Sequence, residues 1–238
     1  MADKLKILCF KWEYTKGAKL PSLDVIDNYT ADHVNRLYNS IERNLTIPHE
    51  FICITDNPKG VNCPTFPLWN TYRDLGGCYT RLMLFNPNIK YLFGDRIASI
   101  DLDCVVIGSL DNIFGREEDF VINSYIGLIN EYSEQWCNGG LILMNTGSRS
   151  QVWSSFNPVK SPKIIQKRKK EREIIGTDQA WIAHTLNKSE ATFTNEDGVY
   201  EYRRFEGKSL PKGAKLVLFA GRADPSILRK KWVIKNWK

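Results

Sequence analysis

The stretch Arg96-Ile-Ala-Ser-Ile-Asp-Leu-Asp-Cys-Val-Val-Ile107 decides how the chain is read. A buried strand is apolar along its length, yet Asp101 and Asp103 interrupt this one. Burying a charge without a partner is costly, so the two acids need something to neutralise them. On a continuous strand their i, i+2 spacing puts both on one face. A strand that ends or bends between them lets them address one ligand from different angles. Paired hard oxygens at a strand end suit a divalent ion that also grips phosphate. A surface hairpin, or acids neutralised by Lys and Arg, is the competing interpretation of so short a motif.

Outward from this stretch the pattern alternates between strands and helices. Lys6-Ile-Leu-Cys-Phe-Lys-Trp12 is expected to be a first strand, followed by a polar loop holding Gly17 and Pro21. Thr30 is placed to cap a helix running to about Asn44, with Val34, Leu37, Tyr38 and Ile41 at helical spacing. Glu50-Phe-Ile-Cys-Ile-Thr-Asp56 is a second strand closed by Asn57-Pro58, which makes a parallel strand–helix–strand unit. Residues 59–77 are loop-like, and Tyr79 to Phe85 is a helix ended by Asn86-Pro87. After the Asp101 strand come a helical turn at 109–114 and strands at 120–124 and 140–145. The run 160–173 is densely charged, with four cations from Lys167 to Lys170, and suits a solvated helix face or a patch for a polyanion. The tail from Leu228 interleaves cations with Trp232 and Trp237, as a nucleic-acid contact or a snorkelling helix would.

The totals bound the class. The 238 residues suffice for one large domain, and 42% hydrophobic with 25% charged residues is ordinary for a globular protein. A net charge of +6 favours acidic ligands. Six scattered cysteines, none in Cys-x-x-Cys, and three histidines exclude zinc-finger and redox spacings. No signal peptide and no long apolar run are visible, so a cytoplasmic location is expected, in the host if a virus encodes the chain.

Five motifs then fall in a consistent order. They are Cys78-Tyr-Thr-Arg-Leu-Met-Leu-Phe85, the Asp101 stretch continued to Phe114, Asn138-Gly-Gly-Leu-Ile-Leu-Met-Asn145, Thr177-Asp-Gln-Ala-Trp181 and Leu216-Val-Leu-Phe-Ala-Gly221. In this order they resemble the nucleotide-sugar glycosyltransferases of the GT-A fold, above all glycosyltransferase family eight and small phage and bacterial relatives. The resemblance covers residues 5 to 225 and implies one α/β domain with a mostly parallel central sheet flanked by helices. Residues 1–115 would be the nucleotide-binding half, 116–225 the sugar and acceptor half, and 226–238 a basic tail. It implies that Asp101 and Asp103 hold manganese or magnesium against the diphosphate of a UDP-sugar, UDP-glucose or UDP-galactose. Arg81 is implied near the phosphates or sugar, and Phe10, Trp12 and Asp56 around the nucleobase, beyond the carboxyl ends of the strands. Asn138, Gly139 and Gly140 would face sugar and acceptor. Asp178 would bind donor hydroxyls, with Gln179 near the anomeric carbon. Glutamine is a poor nucleophile, so the resemblance implies retention by a front-side route.

One departure stands out. The family usually has a His as third metal ligand where this chain has Leu218-Phe-Ala-Gly221. Asp224 is the candidate substitute, and Arg222 a candidate source of positive charge for the diphosphate. His184 is expected to pack within a helix. A nucleotidyltransferase is the rival enzyme, although Phe10-Lys-Trp-Glu-Tyr-Thr-Lys-Gly fits its glycine-rich loop poorly. A binder of sugar nucleotides or polyanions without catalysis is the rival of another class. Charge predicts an acidic acceptor, either DNA with a hydroxylated base or a phosphorylated lipid sugar of an envelope polysaccharide. A flipped base would need an aromatic to hold it, with Trp136, Trp181 and Trp232 as candidates.

Overall fold

The structure is a computed structural model that describes residues 4–13, 29–125, 132–219 and 223–238. Strand β1 (Leu5–Lys11) is buried at every position except one, as a strand covered on both faces must be. Helix α1 (Ala31–Asn44) follows with Thr30 at its N-cap, whose amide donates to His33 Nδ1 at 3.2 Å. Val34, Leu37 and Ile41 turn inward, as their spacing requires. Strand β2 (His49–Thr55) pairs in parallel with β1, so the expected strand–helix–strand unit is present, each strand lying one residue earlier than expected. The loop 59–77 contains a short edge strand, β3 (Thr65–Pro67). The polar loop expected around Gly17 and Pro21 lies outside the described residues.

Tyr79–Phe85 is helical, but as a 3-10 helix. Helix α2 (Lys90–Phe93) leads into β4 (Arg96–Ile100), which stops at Ile100. Asp101, Leu102 and Asp103 form a bend, and the chain resumes as β5 (Cys104–Val106) in a different sheet. The continuous strand with both acids on one face is therefore not what forms; the broken strand is. Helix α3 (Asp111–Phe114), β6 (Phe120–Ser124) and the nine-residue β7 (Cys137–Asn145) follow. Helices α4 (Gln151–Ser154), α5 (Ser161–Lys170) and α6 (Asp178–Thr185) come next. The chain closes with β8 (Ala191–Phe193), β9 (Val199–Glu201), β10 (Leu216–Leu218) and α7 (Lys231–Asn236).

The main sheet has seven strands in the order β3-β2-β1-β4-β7-β6-β8. It is mostly parallel; β7 runs antiparallel to both β4 and β6. A second sheet, β5-β10-β9, has three short strands and was not foreseen from sequence. Alternate residues of the long strands feed opposite cores. Leu8, Phe10, Ile97, Ile142 and Met144 pack under the 3-10 helix, α4 and α6. Ile7, Cys9, Ala98, Ile100, Leu141 and Leu143 pack under α1. The second sheet covers its own cluster of Tyr202, Phe205, Phe219, Val233 and Trp237.

Candidate active site

Strands β1, β2 and β4 run parallel, so their carboxyl ends share one edge of the sheet. Antiparallel β7 brings its first residues to that same edge. The Asp101 amide donates to Gly140 O at 2.9 Å, one rung beyond the end of β4. The Asn138-Gly139-Gly140 segment is thereby set directly beside the acids.

Arg81 organises the cluster. It is buried in the 3-10 helix, and its Nε and Nη2 contact Asp178 Oδ2 at 2.8 and 2.7 Å. Its Nη1 donates to Asp101 Oδ1. Burial alone pulls the guanidinium pKa down, but Asp101 and Asp178 outweigh it and leave Arg81 firmly charged. One arginine thus bridges β4's end to the first residue of α6. The two glycines make room for this. A Cβ on Gly139 would lie 3.3 Å from Arg81 Nη2 and 3.4 Å from Asp178 Oδ2. A Cβ on Gly140 would lie 2.9 Å from Asn138 Oδ1 and 3.2 Å from Asp101 Oδ2. Both glycines serve close approach, not turning. Gln179 Oε1 faces the Gly139 amide at 3.4 Å, and Gln179 Nε2 donates to Ile175 O at 3.1 Å. Asn138 Oδ1 accepts from the Gly140 amide at 2.7 Å. The Cys78 amide donates to Thr177 Oγ1 at 2.9 Å, fastening the 3-10 helix to the start of α6.

Asp103 has a different partner. The Tyr29 hydroxyl hydrogen-bonds its carboxylate. Burial and the neighbouring charge of Asp101 nevertheless push the Asp103 pKa up to about 8, against the lowering effect of that bond. Burial also raises Asp101, offset in part by Arg81. Tyr29 is raised by burial, then by Asp103, Asp101 and Asp224. Asp224 accepts from the Ser226 amide at 2.6 Å and lies 3.4 Å from His33 Nε2. Although burial pushes it up, these partners hold its pKa below the usual range. The residues Tyr29 and His33, missed in the sequence, are what surround Asp103 and Asp224. A tyrosine just ahead of a helix N-cap carries no local signal of that role.

A divalent ion needs these oxygens turned toward one point. Asp101 is held by Arg81, Asp103 by Tyr29, and Asp224 by His33 and Ser226. Among the described residues no three His, Cys, Asp or Glu side chains converge as metal ligands. The chemistry of the donors suits manganese or magnesium, but their arrangement does not fit a three-ligand site.

The expected nucleobase residues make contacts within the chain. Phe10 is buried among Trp12 and Trp69, with ring centroids at 6.3 and 6.0 Å. Asp56 accepts from the Glu13 amide and pairs with Arg73, which ties the ends of β1 and β2 together. Arg222 lies outside the described residues. His184, expected to pack, is exposed: its ring lies 5.2 Å from that of Trp181, and its Nδ1 lies 2.7 Å from Arg168 Nη1.

No protein-family profile matches the sequence, and no curated protein matches it. Solved structures do. The galactosyltransferase LgtC in complex with donor and acceptor sugar analogues gives a TM-score of 0.54 at 12% identity, over 93% of this chain and 89% of that one. An active-site glutamine-to-glutamate mutant of LgtC gives 0.59 at 14%, over 97% and 93%. The glycosyltransferase GlyE of Streptococcus pneumoniae TIGR4 gives 0.60 at 10%, over 98% of this chain and 62% of that one. At such identities the likeness is one of architecture: the chain has the GT-A fold of glycosyltransferases.

Proposed function

We propose that the chain transfers a hexose from a nucleotide sugar, a UDP-sugar by preference, to a hydroxyl acceptor. The observation that carries this is the Arg81 bridge between Asp101 and Asp178, laid over Gly139 and Gly140 at the carboxyl edge of the sheet. In open α/β sheets that edge is where ligands bind. In this reading Asp178, held by Arg81, accepts hydrogen bonds from donor hydroxyls. Gln179 stands beside it, and LgtC has a glutamine in its active site. A glutamine cannot readily form a covalent glycosyl intermediate; with retention, as the resemblance implies, front-side attack is the route left, the leaving phosphate taking the acceptor proton. Asp101 and Asp103 are the candidate ligands of a manganese or magnesium ion.

An acidic acceptor is supported by the net charge of +6. Between the two kinds considered, the three candidate tryptophans lend support to one. Trp181 is buried and donates to Val152 O at 2.9 Å, Trp136 donates to Ala183 O at 3.2 Å, and Trp232 stacks on Phe219. All three are committed to packing, which favours a phosphorylated lipid-linked sugar over a flipped base in DNA.

The test is nucleotide release from UDP-glucose and UDP-galactose, after chelation and again with added manganese, with each acceptor supplied in turn. Asp178→Asn should lower kcat on the order of a hundredfold while the fold is kept. Failure to release nucleotide from any UDP-sugar under any of these conditions would leave the chain a binder.

A further inference from the structure

Helix α5 contributes little to the core: only Ser161 and Ile165 are buried. Its remaining surface is not random. Lys160, at the N-cap, and Lys163, Lys167 and Lys170 are all exposed and recur at i, i+3, i+7 and i+10. At about 100° per residue they fall within one narrow stripe, along roughly 15 Å of helix. Lys167 has a weak ion pair with Glu171 at 3.9 Å; among the described residues Lys160, Lys163 and Lys170 have no carboxylate at ion-pair distance. Bordering the stripe are two exposed aliphatic side chains, Val159 at 64% and Ile164 at 40%. No aromatic ring stands among them to stack on a base, and the stripe holds lysines, which are point charges, in place of arginines that fork onto single phosphates. Diffuse positive charge with flanking aliphatics matches a surface of anionic headgroups over hydrocarbon.

We propose that α5 docks the protein on an anionic lipid bilayer, the four lysines lying on the headgroups and Val159 and Ile164 dipping below them. The segment 171–177 joins the end of α5 to Asp178 at the start of α6. The inference stands apart from the transfer reaction, because binding is read without donor or acceptor.

The experiment is flotation of the full chain with phosphatidylcholine vesicles, with and without phosphatidylglycerol, at low and moderate salt. The protein should float with the anionic vesicles alone and release as salt rises. The Lys163→Gln/Lys167→Gln/Lys170→Gln variant should bind roughly a hundredfold more weakly, with an unchanged circular dichroism spectrum. Ile164→Ser should weaken binding without changing its salt dependence. Wild-type protein that stays off anionic vesicles at low salt overturns the proposal. So does a triple variant that binds vesicles undiminished, or one that loses only retention on duplex DNA.

Discussion

The Asp103 carboxyl, half-buried and bonded by Tyr29, keeps its proton up to about pH 8. In the unfolded chain it would ionise near pH 4. Between these values the folded state binds the extra proton, so this group's contribution to stability is complete below pH 4 and is lost as pH rises toward 8. Asparagine does not titrate. Asp103→Asn should therefore melt higher than the parent at pH 8 and about equally at pH 4. Water screens a half-buried group, so the gain is about 1–2 kcal/mol, or roughly 2–6 °C. Thermal melts at pH 4, 6 and 8 check this; a gap that does not widen with pH would sink it. The acids themselves were legible in the sequence because charge inside an apolar run is a local anomaly. Their partners were not. Tyr29 and His33 reach them only through the tertiary fold, and Arg73 reaches Asp56 in the same way, whereas Ser226 meets Asp224 in a local turn two residues on.

Elements show the same division. Helix α1 was readable from Thr30 and the Val34, Leu37, Ile41 spacing, since both signals are local. The break after Ile100 was readable only as one of two outcomes, because Leu102 and Cys104 continue the apolar pattern across it. The second sheet, made of three-residue strands, gave no periodic signal of its own. The tail was open between ligand contact and packing, and α7 packs. Trp237 is buried, Arg36 donates to its carbonyl at 2.9 Å, and the Arg36 guanidinium sits 4.5 Å over the indole. Trp237→Ala should cost about 2–4 kcal/mol in urea unfolding, whereas Lys235→Gln, on the exposed side, should change stability by about 0.5 kcal/mol or less. Equal effects from the two would return the tail to the class of ligand contacts.

Across the whole molecule, the halves proposed from sequence share one sheet. The β4–β7 ladder joins them through five residue pairs, from Arg96 with Asn145 to Ile100 with Leu141. Both flanking cores draw residues from either side of that ladder. Unfolding should consequently be a single transition, with tryptophan fluorescence and far-ultraviolet circular dichroism giving the same urea midpoint. Two separated midpoints would show that the halves fold independently.

The antiparallel course of β7 has one more result. It extends the ladder just far enough to lace the amide of Asp101, through Gly140, and no further. The next acid is laced from the other side: Asp103 O accepts from the Phe219 amide at 2.9 Å, beside the Leu218–Cys104 pair of the small sheet. Each carboxylate thus belongs to a different sheet, and any shift of one sheet against the other would change the span between them.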